Sequence, residues 1–445
     1  METTIEIGQA DHGKTKVGNY FVANYPPFSF WEPKRRHEAY EALDRPPDPD
    51  SPLGLYVHIP FCRKRCHFCY FRVYTGRDAK RDRVSTYVDS VLRELQMYAD
   101  KPLINGRRPR YVYFGGGTPS FLPPEQLGRL ADEMKRLMPW DEAEEVTFEC
   151  EPGTLTEEKL RVLHSAGITR LSLGVENFDD AVLRSNGRAH LSKEIHAAYD
   201  YARSIGFKQI NVDLIAGMLN ETDENWEACI AKAIELAPDC LTIYQMEIPY
   251  NTTIYQDMQE RGEVTAPVAD WATKRRWVRY AFEELEKAGY TVTSTCTAVK
   301  DPDAYRFLYR DYLWRGADMV SLGVSSFGHF AGTHYQNEKD FGPYVKRVAQ
   351  DELPIHRALA TTPDERLIRE MILQLKLGEL DLGYFRGKFG TDVLTKFAEP
   401  FENLRAAGHL AVQGERVVLT RESLLMVDEF LHEFFLPQHR DARYT

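Results

Sequence analysis

Short apolar runs alternate with longer amphipathic segments along the first 245 residues, and this alternation constrains the fold more than any other feature. Short apolar runs are typical of buried strands, and apolar residues recurring every three or four positions are typical of helices. The predicted strands are Leu55–Ile59, Tyr111–Phe114, Glu145–Glu149, Arg170–Leu173, Gln209–Ile215 and Cys240–Gln245. The predicted helices are Val84–Tyr98, Pro124–Leu137, Glu157–Ser165, Lys193–Ile205 and Glu224–Leu236. This order predicts an α/β fold whose parallel sheet closes into a barrel or partial barrel through right-handed crossovers.

The chain divides into four predicted regions. Residues 1–53 are rich in proline and aromatic residues and predict an extended arm with little regular structure. Residues 54–300 form the core barrel, and residues 301–360 are a connecting segment that completes it. Residues 361–445 predict a small, separate C-terminal α+β domain.

The C-terminal region has the element order of a winged helix. The predicted elements are helices over Asp364–Leu375, Gly383–Phe389 and Thr391–Ala407, strands over Leu410–Val412 and Val417–Leu419, and a last helix ending near Phe435. DNA binding needs a basic face, but this region carries 11 Lys and Arg against 14 Asp and Glu. We therefore expect the domain to cover a catalytic cleft.

Composition narrows the functional classes. The formal net charge is −11 and the basic residues are dispersed, which argues against nucleic-acid binding. There is no apolar run of about 18 residues and no signal-peptide pattern at the amino terminus, so we expect a cytoplasmic protein without a membrane span. Three of the seven cysteines lie within eight residues, which indicates metal ligation rather than disulfides.

The clustered cysteines, Cys62, Cys66 and Cys69, follow the first predicted strand in a Cys-x3-Cys-x2-Cys loop. Thiolates are the usual ligands of iron–sulfur clusters. Three thiolates on a [4Fe-4S] cluster leave one iron open to bind the amino and carboxylate groups of S-adenosylmethionine (SAM). One electron would then cleave SAM and release a 5'-deoxyadenosyl radical. A zinc site completed by His58 or His67, or a cluster that only transfers electrons, remain alternatives.

Further groups follow the later strands. The sequence Gly115-Gly116-Gly117-Thr118-Pro119 ends the second strand, and consecutive glycines allow main-chain groups to approach a ligand closely. Carboxylates and one arginine follow the next strands: Glu149, Glu151, Glu176, Arg188 and Asp213. Such groups suit the hydroxyls, ammonium and carboxylate of SAM. Because loops after the strands form the active-site face of a barrel, we expect these residues to meet.

The chain resembles the HemN-like radical SAM family, which includes oxygen-independent coproporphyrinogen III oxidases, haem chaperones and class C methyltransferases or cyclopropanases. The matching stretches are Tyr56–Cys62, Gly115–Ser120, Glu149–Thr154, Leu171–Phe178, Asn211–Gly217 and Gly323–Gly328. The resemblance spans about residues 20 to 440. It implies a partial (β/α)6 TIM-like barrel with an N-terminal arm and a winged-helix-like lid.

The resemblance also implies a [4Fe-4S] cluster and two SAM molecules. The implied contacts to the first SAM are Tyr56, Gly116, Glu149 and Phe327. The implied contacts to the second SAM are Phe68, Gly117, Thr118, Arg188 and Asp213, with Glu176 standing where the family commonly has Gln. An electron donor such as flavodoxin or ferredoxin is implied as the partner.

Members of the family catalyse different reactions, and this chain departs from the motifs of two of its groups. The fourth cysteine common in the oxidases is replaced, since Tyr70 and Phe71 follow Cys69. The His-Asn pair of the haem chaperones is absent from residues 303–307. We therefore predict C1 transfer, methylation or cyclopropanation of an sp2 carbon, on a polycyclic aromatic or porphyrinogen. The alternatives are oxidative decarboxylation of coproporphyrinogen III and haem carriage.

Two sets of residues are further candidates. Tyr244 and Glu247, at the end of the sixth strand, are candidate catalytic residues for proton transfer. Arg306, Arg310 and Arg315 are the nearest candidates to bind substrate propionates.

Overall fold

The computed structural model describes residues 21–262 and 267–440. Residues 1–20 of the predicted arm and the last five residues of the C-terminal region lie outside the described residues. Within the described ranges there is no helix with the length and apolar character needed to cross a bilayer.

The strands fall into two sheets. They are β1 Leu53–Ile59, β2 Tyr111–Gly116, β3 Glu145–Cys150, β4 Arg170–Glu176, β5 Gln209–Ala216, β6 Cys240–Gln245, β7 Thr291–Val292, β8 Thr297–Val299, β9 Asp318–Leu322, β10 Phe327–Phe330, β11 Thr333–Asn337, β12 Ile355–Ala360, β13 Glu379–Asp381, β14 Leu410–Gln413 and β15 Arg416–Leu419. All six strands predicted for the core are present, and β6 has the predicted bounds.

Most helices before residue 350 pack on the main sheet, and those from residue 363 onward belong to the C-terminal region. They are α1 His37–Leu43, α2 Arg81–Ala99, α3 Pro124–Leu137, α4 Glu157–Ser165, α5 Asp180–Ser185, α6 Ser192–Ile205, α7 Asp223–Leu236, α8 Thr253–Arg261, α9 Trp271–Lys287, α10 Leu308–Leu313, α11 Phe341–Ala349, α12 Pro363–Leu375, α13 Leu382–Phe389, α14 Val393–Lys396, α15 Ala398–Ala406 and α16 Arg421–Leu425.

The main sheet has the order β12-β11-β10-β9-β1-β2-β3-β4-β5-β6-β8-β7. Strands β1 to β6 lie side by side and parallel in chain order, as the strand–helix alternation predicts. On one flank β9 runs parallel to β1, and on the other β8 runs antiparallel to β6. The sheet is not closed, so the prediction of an α/β fold with a partial barrel is confirmed.

Side chains alternate between the two faces of the sheet. Val212 and Leu214 of β5 join the apolar core beneath the helices. The alternate residues Asn211 and Asp213 are hydrogen-bonded to Ser172 of the neighbouring strand β4. The inner face of the barrel therefore carries polar groups that are linked from strand to strand, which is where a polar ligand can be bound.

Two segments differ from the predicted elements. The sequence predicts a strand over residues 290–295, which follows a long amphipathic helix. The structure has instead a short antiparallel pair, β7 and β8, joined by a turn in which Thr293 N donates to Thr297 O at 2.8 Å. The expected helix over residues 391–407 is divided into α14 and α15 at Phe397. Pro400 lies in the first turn of α15, where its missing N–H is tolerated, but it would break the ladder of one continuous helix.

The arm has more regular structure than predicted. Residues 37–43 form α1, which packs on β11 and β12 and buries Ala39, Ala42 and Leu43. Further towards the amino terminus, the Trp31 ring is stacked on that of His334, with ring centroids 4.8 Å apart. Burial of these apolar groups stabilises the segment. The proline content of the arm does not predict this packing.

The C-terminal region has its own three-stranded sheet, in the order β13-β15-β14, and its own apolar core. A buried ion pair ties this region to the arm. Lys376 Nζ donates to Asp428 Oδ1 at 2.8 Å and to Val22 O at 3.0 Å. The same carboxylate oxygen accepts the Val22 N–H at 2.8 Å. The arm is thus held against the C-terminal domain by a desolvated network.

Replacing Lys376 with Met is expected to lower the free energy of unfolding by about 3 kcal/mol, because it leaves the Asp428 carboxylate buried without its cation. Urea unfolding of the purified chain measures the change. Lys396→Met is the matched control, since the ion pair of Lys396 with Asp364 is largely exposed and should contribute less than about 1 kcal/mol. Equal losses in the two variants would contradict the assignment.

Candidate functional site

The cysteine loop begins directly after β1, at the carboxyl end of the parallel strands. Two backbone hydrogen bonds close its base: Cys62 N donates to Tyr74 O at 3.0 Å, and Tyr74 N donates to Pro60 O at 2.7 Å. Its middle is tied to the loop after α5, because His67 N donates to Asn186 O at 3.0 Å. The loop is therefore fixed by main-chain contacts rather than free to move.

The basic residues between the cysteines hold the loop to its neighbours. The Arg63 guanidinium donates to the carbonyl oxygens of Gly153 and Ala189, which follow β3 and β4. Arg65 donates to Asn251 O at 2.7 Å, beyond the end of β6. These arginines therefore join three of the loops at the same end of the barrel.

The three thiols lie together and have polar neighbours. Cys62 is buried, while Cys66 and Cys69 are half-buried. Thr118 Oγ1 donates to Cys62 Sγ at 3.2 Å, and Arg188 donates to Cys66 Sγ at 3.1 Å. Burial raises the pKa of the Cys62 thiol to about 12, so the thiolate in this pocket needs a metal or another cation beside it. A donor set of thiolates supported by hydrogen-bond donors fits an iron–sulfur cluster.

In the part of the chain that the structure describes, no three His, Cys, Asp or Glu side chains converge on the position of a single metal ion. The two histidines considered as zinc ligands have other contacts. His58 Nδ1 is 3.2 Å from Tyr56 OH, and His67 Nδ1 is 3.1 Å from Ser185 O.

The three glycines at the end of β2 make a close approach possible. Gly116 has φ +110°, and a Cβ there would lie 2.5 Å from the His58 ring. A Cβ on Gly117 would lie 2.9 Å from Ile59 O and 3.1 Å from Cys62 Sγ. Any side chain at either position would therefore displace β1 or the cysteine loop.

Glu149 lies beside these glycines, one residue before the end of β3. Its carboxylate accepts the Tyr113 hydroxyl at 2.7 Å and the Gly116 N–H at 3.1 Å. Burial raises the pKa of Glu149 to about 7, and these two hydrogen bonds oppose the rise. Glu151, two residues later, is instead bound to His190 Nδ1 at 2.8 Å and to Gly153 N, so its contacts are structural.

Asp213 and Glu176 lie on the neighbouring strands. Asp213 accepts hydrogen bonds from Ser172 Oγ at 2.8 Å and Asn211 Nδ2 at 2.9 Å, while burial raises the pKa of Asp213. Glu176 has φ +66° at a bulge in β4 and lies 3.5 Å from Arg188. Burial raises the pKa of Glu176 to about 7, and the Arg188 charge opposes that rise.

The other residues implied by the resemblance surround this group. Phe68 packs against the apolar cluster that contains Ile215 and Met246 at the ends of β5 and β6. Tyr56 is stacked on Tyr113, with ring centroids 5.9 Å apart, inside the barrel. Phe327 begins β10, and its ring contacts those of Phe28 and Trp31 in the arm. The roles of all these residues in binding SAM stay predictions.

Tyr244 and Glu247 lie at different places. Tyr244 is 43% exposed, but this exposed surface faces the cleft inside the barrel. Desolvation there, followed by the charge of Asp213, raises the pKa of Tyr244. Glu247 lies beside the C-terminal domain: burial and the Asp428 charge raise the pKa of Glu247 to about 8, which a hydrogen bond from the Phe21 N–H opposes. Their catalytic roles stay predictions.

The three arginines considered for propionate binding lie away from the cysteine loop. Arg306 and Arg315 are exposed, and Arg310 is paired with Asp311. The helix α10 that follows Arg306 is fixed by Glu145, which accepts the Leu308 N–H at 2.8 Å at the first residue of β3. They therefore lie at the amino-terminal end of the strands, opposite the cysteine loop.

Sequence reasoning missed one residue of the barrel interior. Arg170, the first residue of β4, is fully buried, and its Nε and one terminal nitrogen have no hydrogen-bond partner among the described residues. Its guanidinium lies 4.3 Å from the centroid of the Phe307 ring. The only available signal was an arginine opening an apolar strand.

Replacing Glu149 with Gln is expected to weaken SAM binding by about tenfold or more, because the buried carboxylate beside Gly116 loses its charge. Equilibrium binding of SAM to the reconstituted protein measures it. Glu145→Gln is the control: Glu145 lies on the same face at the other end of β3, and affinity should stay within about twofold. A comparable loss in the control would show a fold effect instead.

Two protein-family models match the chain. The model of the radical SAM superfamily matches residues 56–233, and the model of the HemN C-terminal domain matches residues 361–426. The barrel, the three-thiol loop and the superfamily match define a radical SAM enzyme, whose cofactors are a [4Fe-4S] cluster and SAM.

Within that superfamily the chain belongs to the HemN-like family. It is 29% identical over 400 residues to the oxygen-independent coproporphyrinogen III oxidase of Helicobacter pylori (strain J99), covering 86% of each chain. It is 28% identical over 388 residues to the haem chaperone HemW of Bacillus subtilis, covering 86% of this chain and 98% of that protein. Its fold matches coproporphyrinogen III oxidase (HemN) of Escherichia coli with a TM-score of 0.80 at 24% identity, covering 95% of this chain and 99% of that one.

The prediction of C1 transfer is wrong. The relatives at 26–29% identity carry the names coproporphyrinogen III oxidase or haem chaperone, and none of these names describes a methyltransferase or a cyclopropanase. The prediction gave too much weight to the absence of a fourth cysteine after Cys69. In the structure, Tyr70 and Phe71 pack on each other there, with centroids 4.5 Å apart, and the three-thiol loop before them is intact.

Proposed function

We propose that this chain oxidatively decarboxylates propionate side chains of a porphyrinogen such as coproporphyrinogen III, without oxygen. One observation carries the proposal: aromatic rings that would normally be buried are open beside the cysteine loop. Tyr70 is 50% exposed, Tyr244 43% and Phe71 39%. Exposed apolar surface of this kind, rimmed by polar groups, is typical of a binding site for a large flat substrate.

These rings border the candidate SAM contacts. The Phe71 ring lies 6.3 Å from that of His58 on the inner face of β1. The charges of Glu149 and Asp213 both act on Tyr244, which also lies near Tyr70. A tetrapyrrole placed on these rings would therefore be close to the cluster pocket. The likeness to relatives named coproporphyrinogen III oxidase supports the same substrate class.

The cofactors would supply a hydrogen-abstracting 5'-deoxyadenosyl radical, formed when one electron from the cluster cleaves SAM. Cys62, Cys66 and Cys69 would hold the cluster. Each propionate that reacts loses one hydrogen atom to the radical, carbon dioxide to solution and one electron to an acceptor, and it becomes a vinyl group. We infer that a flavodoxin or ferredoxin supplies the reducing electron.

The chain's own residues would bind the SAM molecules. Tyr56, Gly116, Glu149 and Phe327 would contact the first, and Glu149 is already fixed by Gly116 N and Tyr113. A second SAM would contact a different set of residues. These are Phe68, Gly117, Thr118, Glu176, Arg188 and Asp213.

The C-terminal domain would exclude water from the cleft. Its residues 424 and 425 accept hydrogen bonds from the barrel wall: Thr295 Oγ1 donates to Leu424 O at 2.8 Å, and Gln245 Nε2 donates to Leu425 O at 3.0 Å. The bond from Gln245 joins residue 425 to the carboxyl end of β6, two residues from Glu247, and supports this role. Division into an arm, a barrel, a connecting segment and a lid, at residues 53, 300 and 360, belongs to the same proposal.

The test is anaerobic turnover of coproporphyrinogen III by the reconstituted chain with SAM and a low-potential reductant. We expect vinyl product and 5'-deoxyadenosine to increase together, in a one-to-one ratio per propionate. The tetramethyl ester of the same porphyrinogen is the matched control, because it cannot lose carbon dioxide. Stoichiometric haem binding without any decarboxylated product would contradict the proposal and favour a haem carrier.

A further inference from the structure

A pair of buried histidines lies at the opposite end of the barrel from the cysteine loop. His329 of β10 and His334 of β11 are paired across the two strands, and their Nδ1 atoms are 3.0 Å apart. His329 is 5% exposed and His334 is fully buried. His334 Nε2 is also 3.0 Å from Tyr25 O in the arm.

These contacts determine where the ring protons lie. The Tyr25 carbonyl oxygen can only accept, so His334 Nε2 carries a proton. Burial lowers the pKa of both imidazoles well below its ordinary value, so both rings are neutral and His334 Nδ1 has no proton. His329 Nδ1 must therefore donate to His334 Nδ1. It follows that His329 Nε2 is an unprotonated acceptor, and it has no hydrogen-bond partner within residues 21–262 and 267–440.

His329 lines a cavity of about 170 Å³. Arg369 of α12 lines the same cavity and is 5% exposed. Its Nε donates to Asn24 Oδ1 at 2.7 Å and one terminal nitrogen donates to Leu313 O at 3.1 Å. No carboxylate of the described residues forms an ion pair with it. The charge of Glu370 acts on Arg369, but Glu370 is itself paired with Lys388. The buried guanidinium therefore lacks a counter-ion of its own, which indicates an anionic ligand.

The walls of the cavity are apolar and largely aromatic. They include Phe28, Leu313, Trp314, Met319, Phe327 and Leu373. Such walls suit a flat ring better than a small hydrated anion such as phosphate. Tyr309, also in the wall, is packed on Tyr113 with ring centroids 4.2 Å apart, and Tyr113 donates to Glu149, so these two rings separate the cavity from Glu149. The volume is too small for a porphyrinogen macrocycle.

We propose that this cavity is a second binding site, which takes a small heteroaromatic acid: a flat ring with an N–H group and a carboxylate. The ring N–H donates to His329 Nε2, the carboxylate accepts from Arg369, and the ring lies between the aromatic walls. The exposed Ala23 at the rim provides access from solvent. Neither His329 nor Arg369 belongs to the cysteine-loop end of the barrel, although the cavity wall shares Phe327 with the residues proposed to contact the first SAM.

Isothermal titration calorimetry of the reconstituted full chain tests the proposal with three probes. Indole-3-propionate carries both polar groups, 1-methylindole-3-propionate lacks the N–H, and 3-methylindole lacks the carboxylate. We expect the first to bind with a dissociation constant below about 1 mM, and each of the others to bind about tenfold more weakly. Equal affinity for all three probes, or no binding of the first, would overturn the proposal. Inorganic phosphate that binds as well as indole-3-propionate would also overturn it.

Variants locate the site. Arg369→Gln should lower the affinity for indole-3-propionate about tenfold and leave the affinity for 3-methylindole within about twofold of the native value. His329→Phe should not lower the affinity for 1-methylindole-3-propionate, because that probe has no N–H to donate. Arg366→Gln, on the same helix, removes a charge outside the cavity lining and should leave every affinity within about twofold. If Arg366→Gln lost affinity for indole-3-propionate, or if Arg369→Gln kept it, the ligand would lie elsewhere. Because the probe comparison uses the native chain, it remains decisive if a variant does not fold.

Discussion

Replacing Cys66 with Ser is expected to remove the [4Fe-4S] cluster and to lower SAM cleavage by at least about a hundredfold. Mutation of a residue that only supports a metal ligand commonly lowers metal affinity or activity by about ten- to a hundredfold. Mutation of a ligand itself should lower them further. Cys66 is one of three thiols on a loop that main-chain bonds hold in place, and Arg188 already donates to its sulfur. Iron and sulfide content, with 5'-deoxyadenosine release, measure the effect.

Cys296→Ser is the matched control for Cys66→Ser. Cys296 has the same half-buried exposure, but its sulfur lies among Ser294 and Thr297 on the hairpin after α9. Iron content and SAM cleavage in this variant should equal those of the native chain. Full iron loading in Cys66→Ser would contradict the assignment of the cluster ligands.

Replacing Gly117 with Ala is expected to lower cluster content and SAM cleavage by about tenfold or more. The added Cβ would lie 2.9 Å from Ile59 O, 3.0 Å from the Pro60 carbonyl carbon and 3.1 Å from Cys62 Sγ. Two of these atoms belong to the backbone, so the end of the strand or the loop must move. Overpacking of this kind typically costs about 1–3 kcal/mol, which lowers the equilibrium constant for assembling the site by roughly five- to a hundredfold.

Gly128→Ala provides the comparison for this substitution. Gly128 lies within α3, and the nearest atom to its new Cβ would be Val162 Cγ1 at 3.7 Å, an ordinary contact. Alanine is also the better helix former by about 1 kcal/mol. We expect unchanged cluster content and slightly higher stability. If Gly117→Ala were equally harmless, the close approach of β2 to the loop would have no role in assembling the site.

The barrel could be predicted because its strands have a local signature. Strands β1 to β6 are short apolar runs, and β6 has the bounds that its sequence predicts. Strands β10 and β11 could not be found this way, because their buried residues include His329, His334 and Gln336. Those polar side chains are buried only because partners distant in sequence satisfy them, such as Tyr25 O for His334. Such tertiary partners have no local sequence signal.

In the candidate site, too, some features have a local sequence signal and others depend on tertiary contacts. The placement of Cys62, Gly117 and Glu149 at one end of the barrel follows from their positions after successive parallel strands. The contact between Arg188 and Cys66 spans 122 residues and depends on the loop after α5. The positive φ of Glu176 follows from a bulge in β4 that no residue in the sequence marks. These details required the folded chain.

The choice of reaction was the part that sequence reasoning placed wrongly. The absence of a cysteine after Cys69 does not predict a change of chemistry, because the positions that follow Cys69 carry two exposed aromatic rings, Tyr70 and Phe71. Exposed rings provide substrate-binding surface, and they leave the three cluster ligands unchanged. Whether a chain transfers carbon or removes carbon dioxide depends on where the substrate lies, which a ligand motif does not encode.

We propose that Cys62, Cys66 and Cys69 hold a [4Fe-4S] cluster with one iron free to bind SAM. Electron paramagnetic resonance of the anaerobically reconstituted and reduced chain, recorded with and without SAM, tests it most directly. We predict a [4Fe-4S] signal whose g values shift when SAM is added, because its amino and carboxylate groups complete the open iron. A fully loaded cluster whose spectrum is the same with and without SAM would contradict the account.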